Sequence, residues 1–191
     1  MGVALAKRGR PTAIERASRL DRVLNAAVAV FAARGFDAAS LDEIAASAEV
    51  TKRTLYADVG GKAALFAAAV GREQDRIRVV ATDAASLVDV AAEIVFVLHS
   101  DSAVSLHRSV IAEASRFPDL AAGFYLTGPQ HSIELLARAL EPDDAADVRA
   151  AALFSLLLGE SHRRRLLGLS SAPTRDAATA HAARALALLA P

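Results

Sequence analysis

Residues Ser40-Leu41-Asp42-Glu43-Ile44-Ala45-Ala46-Ser47-Ala48-Glu49-Val50-Thr51-Lys52-Arg53-Thr54-Leu55-Tyr56 decide the fold. Ser40 and Glu43 have the spacing of a capping box. The Ser40 hydroxyl can accept from the Glu43 amide while the Glu43 carboxylate reaches back to Ser40. The box opens a short helix, Leu41 to Ala48, with Leu41, Ile44 and Ala45 on its apolar face. Glu49 and Val50 make the turn. Thr51 is then the N-cap of a second short helix running to about Ala57, with Leu55 facing inward. Upstream, Leu20, Leu24, Ala27, Val28 and Phe31 recur at helical spacing in a helix from about Ser18 to Arg34. Gly35 follows as a natural left-handed C′ residue, and Phe36 returns the chain to the core. Downstream, Gly60-Gly61 ends the unit and Lys62 opens a longer helix carrying Leu65, Phe66 and Val70. Two short helices joined by a tight turn, propped against a longer one, form a helix-turn-helix whose second helix enters the major groove.

This chemistry nominates six DNA-contacting residues. Lys52 and Arg53 stand near the start of the second helix, within reach of guanine O6 and N7 or of a phosphate. Thr51 caps that helix and can touch a phosphate or base edge. Tyr56 can place its hydroxyl on a phosphate or its ring on a thymine methyl. Lys62 lies in the first turn of the next helix, where its ammonium and the free amides both favour phosphate. Ser40 has a similar position ahead of the first motif helix, as a cap or as a cap that also touches phosphate.

Outward from this unit the chain keeps reading as helix. Pro118, Pro129, Pro142 and Pro173 sit where helical patterns start or stop, and no stretch combines β-branched alternation with hairpin turns. Apolar residues make up 53% of the 191, mostly Ala and Leu, which lose little freedom in a helix. The expected fold is all-α: a three-helix helix-turn-helix domain plus a larger helical domain. Residues 1–17 read as a flexible basic arm, 18–70 as the DNA-binding domain and 71–191 as the larger helical domain. Helices are expected over about 71–82, 86–99, 102–116, 119–140, 144–169 and 174–189.

Charge agrees with this division. The formal net charge is +0, yet residues 1–70 hold ten Lys and Arg against seven Asp and Glu, a balance of +3, and the remainder balances at −3. The basic end has the sign a polyanion needs. Lys7, Arg8 and Arg10 can lie along a neighbouring groove or phosphate, or remain a solvated tail. There is no cysteine, which excludes zinc fingers, disulfides and cysteine nucleophiles. No apolar run reaches membrane-spanning length and no signal-peptide core follows the basic start, so the cytoplasm is the expected location. No nucleophile elbow, phosphate-cradling glycine loop or His-Glu metal motif is present, and an enzyme is not expected.

Residues from about Gly9 to Val70 resemble the DNA-binding domain of the TetR/AcrR family. The carrying segments are Gly9-Arg10-Pro11-Thr12, Ala32-Ala33-Arg34-Gly35-Phe36, Ser40 to Ala45, Val50 to Tyr56, then Lys62 and Leu65-Phe66. After Tyr56 the sequence departs from the family pattern with Ala57, Asp58, Val59, Gly60 and Gly61. Asp58 replaces a residue that often donates to phosphate, and its charge would repel one. Paired glycines loosen the joint to the sensor. Leu106 to Ala114, Arg116 to Leu120, Phe124-Tyr125, Gly128-Pro129, Leu156 to Gly159 and Leu166 to Leu169 resemble the sensor domain of AefR-like regulators.

The resemblance implies a homodimer whose last two helices pair, with Leu153, Phe154, Leu157, Leu158, Leu186, Leu188 and Leu189 available for the seam or for the monomer's own core. It implies a ligand cavity among the middle helices, for which Phe96, His99, His107, Ile111, Phe117, Phe124, Tyr125 and Phe154 are candidates. Apolar walls with few polar groups suit a small apolar ligand. His99 and His107 lack the i,i+3 or i,i+4 spacing of a metal pair, and His131, His162 and His181 stand apart in the sequence, so neither metal nor cofactor is expected. Arg163, Arg164 and Arg165 point three ways on a helix, with Glu160 placed to pair with Arg164. The function implied is a repressor released from an inverted-repeat DNA operator by a small molecule. The alternatives are an activator, or a regulator without a small ligand.

Overall fold

The computed structural model describes residues 12–80 and 86–189; Lys7, Arg8 and Arg10 lie outside them. The first helix, α1 (Ala13–Ala38), starts earlier than expected. Thr12 caps it: the Thr12 hydroxyl accepts from the Glu15 amide at 3.2 Å, and the Thr12 amide donates to the Glu15 carboxylate at 2.7 Å. Residues 13–17, read from the sequence as part of a flexible arm, are therefore helical, because a second capping box precedes them. Gly35 interrupts α1 with φ 75°, the positive angle expected of it. Phe36 then packs against Phe31, Phe66 and Phe117, with ring centroids 5.9, 5.5 and 5.4 Å away.

The motif helices are α2 (Leu41–Ser47) and α3 (Lys52–Asp58). Only half of the Ser40 capping box forms. Ser40 accepts from the Glu43 amide at 3.0 Å, but the Glu43 carboxylate turns to the Arg34 guanidinium at 3.4 Å instead of to Ser40. Leu55 anchors α3 with no exposed surface. Its truncation to Ala would cost about 2–5 kcal/mol.

Lys62 opens α4 (Lys62–Val80), one helix that runs straight through the expected domain boundary at residues 70 and 71. There follow α5 (Leu87–Leu98), α6 (Asp101–Glu113), α7 (Pro118–Tyr125), α8 (His131–Ala139), α9 (Ala146–Leu166) and α10 (Arg175–Ala187). The single helix expected over 119–140 is three pieces. Pro129 has no amide to donate, and residues Leu126–Gln130 widen into a π turn between α7 and α8. Helix α9 is broken at Gly159, with φ 39° and ψ −141°.

Burial forms two clusters that ignore the sequence boundary. The first joins α1–α4 to Leu106 and Val110 of α6 and Leu120 of α7. The second joins Ile77 of α4 to α5, α8, α9 and α10. Leu153, Phe154 and Leu157 are used by this second core, whereas Leu188 and Val148 stand exposed. Among the described residues, no helix is long and apolar enough to cross a membrane.

Candidate nucleic-acid interface and ligand cavity

The interface is built from the α2–α3 unit. Thr51 caps α3 through its hydroxyl, which accepts from the Thr54 amide at 3.1 Å. Capping leaves Thr51, Lys52, Arg53 and Tyr56 on the open side of α3, all exposed, with Tyr56 half exposed at 50%. Lys52 is not free: its ammonium lies 2.9 Å from the Asp42 carboxylate of α2. That contact raises the affinity of Lys52 for its proton, first by hydrogen bonding and then by charge. Lys62 also has internal partners. Its ammonium donates to the Asp37 carbonyl at 2.6 Å and sits 4.9 Å from the centre of the Phe36 ring.

Asp58, which the sequence suggests would repel phosphate, is answered from within the molecule. Arg19 of α1 grips its carboxylate in a two-pronged contact, 2.7 Å from Nε and 3.0 Å from Nη2. Both side chains are about one-fifth exposed, at 19% and 20%. Asp58 thus forms a clamp between α3 and α1.

An enclosed cavity lies between α4, α6, the π turn and α9. Of the eight candidates from sequence, His107, Phe124 and Phe154 line it. Phe96 does not: its ring lies under the Arg175 guanidinium at 4.2 Å. Phe117 belongs to the first core. Ile111 and Tyr125 are exposed, at 57% and 54%. His99 sits one layer behind the wall. Sequence reasoning missed Glu73 and Gln74 on α4, Gly128 and Pro129 in the π turn, and His162 on α9. A signal for the first pair was present: Val70, Glu73 with Gln74, and Ile77 repeat at helical spacing. His162 had none, standing in a charged stretch.

Four histidines that are far apart in sequence meet beside the cavity. His162 lies 5.2 Å from His107 and 5.1 Å from His99, and His181 lies 6.1 Å from His99. They come from α6, α9, α10 and the end of α5, which converge here. Burial is the first cause that pushes His99 and His162 down to about 4, with neighbouring histidines adding to it; burial also lowers His107. The His99, His107 and His162 rings are therefore neutral at pH 7. Among the described residues no group is arranged to hold a metal ion. Arg165, the buried member of the arginine run, donates to the His99 and Ser170 carbonyls and pairs with Asp101. Glu160 pairs with Arg163 at 3.2 Å rather than with Arg164.

Residues 23–69 match the model of bacterial regulatory proteins of the tetR family, and residues 85–190 match that of the AefR-like transcriptional repressor C-terminal domain. No curated protein matches the chain. A solved TetR-family regulator from Mesorhizobium loti MAFF303099 is similar at 25% identity and TM-score 0.74, over 94% of this chain and 97% of that one. The flavonoid-responsive regulator FrrA is 33% identical with TM-score 0.64, over 91% of this chain and 95% of its own. A TetR regulator from Agrobacterium tumefaciens is 25% identical with TM-score 0.64, over 90% and 92%. With a helix-turn-helix, a helical C-terminal domain and these matches, the chain belongs to the TetR family of DNA-binding transcriptional regulators, with a C-terminal domain of the AefR-like kind, and is not an enzyme.

Proposed function

We propose that this protein is a homodimeric repressor that leaves an inverted-repeat operator when a small, largely apolar ligand enters the cavity. Residues 18–70 form its DNA-binding unit and 71–191 its sensing and dimerising unit, with α4 common to both. Ser40, Thr51, Lys52, Arg53, Tyr56 and Lys62 are its DNA contacts, and a two-fold dimer would set the recognition helices roughly 34 Å apart or slightly more. The exposed Val148 of α9 and Leu188 of α10 support pairing through these helices. The cytoplasm, where chromosomal DNA lies, is the compartment this reading requires. The similarity to a flavonoid-responsive regulator supports a ligand of aromatic character.

One observation carries the reading. Helix α6 turns His107 toward the cavity and, two residues on, packs Ser109 against α1, its hydroxyl shared between the Ser105 carbonyl at 3.0 Å and the Phe31 carbonyl of α1 at 3.3 Å. At the far end of the same segment Arg116 pairs with Asp37 at 2.7 Å. A ligand that prefers one position of α6 therefore biases the DNA-binding core.

The test is selection of genomic fragments by the purified protein at two salt concentrations, with sizing of Leu188→Glu beside it. Enrichment of one inverted repeat overlapping a promoter, and a monomeric variant that no longer selects it, are the expected results. Enrichment upstream of promoter elements would make the protein an activator. No enrichment at either salt would sink the operator reading.

A further inference from the structure

We infer that the cavity takes an uncharged, flat aromatic compound bearing a hydroxyl group, held by hydrogen bonding to His107, and that it turns away ions, carboxylates above all. This rests on the reading of the cavity as an effector site and names the class of effector.

The shape comes first. The space between the cavity walls, mouth included, is about 460 Å³, but the centre of a water molecule has only about 40 Å³ of it in which to move. The enclosed slot is thus small. Along one wall the rings of Phe124, His107 and His162 stand in a row, 5.1 and 5.2 Å apart and tilted by 32° and 31°. Such a row offers ring faces and edges to another ring.

The polar groups come next. Among the described residues the His107 ring has ring neighbours but no hydrogen-bond partner. A neutral imidazole presents one donor and one acceptor nitrogen, and burial keeps His107 and His162 neutral. An unpaired imidazole nitrogen in an apolar slot is an incomplete hydrogen bond that a ligand hydroxyl completes. Gln74 is less available, because its side-chain oxygen accepts from the Ser132 hydroxyl at 3.0 Å.

Charge decides against ions. No Lys or Arg lines the slot; Glu73 is the lining residue with a formal charge, and it is already engaged. The cation behind the wall, Arg165, is committed to Asp101 and to the His99 and Ser170 carbonyls. A carboxylate entering the slot would lose its water, find no cation and face Glu73. An ammonium would meet imidazoles that resist further positive charge and a carboxylate that has its own partner.

Three shape-matched probes test this at pH 7 on the full chain: 2-naphthol, 2-naphthoate and naphthalen-2-ylmethylammonium. Calorimetric titration should give 2-naphthol an affinity at least about tenfold above either ion. His107→Phe keeps the ring and removes both nitrogens, and should lower 2-naphthol affinity about tenfold. Ala103→Phe, which fills the slot from α6, should abolish it. Circular dichroism checks that both variants keep their helices. Equal or tighter binding of either ion, unchanged 2-naphthol affinity in His107→Phe, or no binding of any probe would overturn the inference. Binding that survives Ala103→Phe would do the same, since the probe would then sit elsewhere. A parallel measurement of release from the selected DNA separates the two readings. Binding of 2-naphthol through His107 without release leaves the ligand class standing and removes the effector role. Release by 2-naphthoate alone keeps an effector role and removes the ligand class.

Discussion

Glu49 adopts φ 55° in the turn between α2 and α3. The Val50 amide donates to the Ala45 carbonyl at 3.0 Å and the Glu49 amide to the Ala46 carbonyl at 3.1 Å, the Schellman pattern in which position C′ is left-handed. At the end of α9 the same pattern places Gly168 at that position, with φ 73°. A side chain there crowds its own carbonyl, so Glu49→Gly should stabilise the protein by about 1 kcal/mol, read as a raised denaturation midpoint. A lowered midpoint would mean that the Glu49 side chain makes a contact worth more than the strain. A second residue-scale prediction concerns Asp42, whose carboxylate holds Lys52. Asp42→Asn removes an anion from the surface that carries Lys52 and frees its ammonium for the proposed phosphate contact. Affinity should rise about two- to fivefold across all sequences, with a steeper salt dependence. Unchanged affinity would take Lys52 off the DNA.

At the scale of elements, α3 is only seven residues long and depends on its anchors. Leu55 buries one face, and Arg19 holds the C-terminal end through Asp58. Arg19→Ala and Asp58→Ala should each loosen α3 and weaken DNA binding, and the double variant should lose much less than the sum of the two. Strict additivity would show that the clamp carries no coupling. Two-pronged geometry and limited exposure are what separate this pair from the molecule's fully solvated ion pairs. The π turn is the other element-scale feature. It breaks the 118–139 segment where Gly128 and Pro129 meet the cavity, so a backbone irregularity shapes the cavity wall.

At the scale of the molecule, the histidine cluster links α5, α6, α9 and α10, and its protonation state is a term in stability. His99 and His162 fall from 6.5 to about 4 on folding, and His107 falls as well. Between those values the unfolded chain binds protons that the folded chain does not. The stabilising contribution is therefore complete above about pH 6.5 and is lost as pH falls toward 4. Arg165 faces the cluster with the same sign and Asp101 offsets it. Denaturant unfolding from pH 7.5 to 4 should show stability falling with pH. In His99→Phe the slope should shrink by up to one proton. A slope unaltered by that variant would place the acid sensitivity elsewhere.

The sequence by itself determined whatever is local. Capping residues, helical periodicity and breakers are encoded within a few residues, so Ser40, Thr51, Gly35 and the inward Leu55 were legible, as were the all-α class and the helix-turn-helix. Tertiary structure decided whatever depends on which surfaces meet. Asp58 read as a defect until Arg19, thirty-nine residues away, was seen to neutralise it. Lys62 reads from the sequence as a phosphate contact, and the structure adds internal partners, the Asp37 carbonyl and the Phe36 ring. Of the eight cavity candidates, His107, Phe124 and Phe154 reach the slot, because an apolar side chain fits a core and a ligand wall equally well. His162 was invisible because the rings beside it come from α6 and the end of α5. Convergence of that kind is set by packing angles and by the breaks at Pro129 and Gly159, and no spacing along the chain records it.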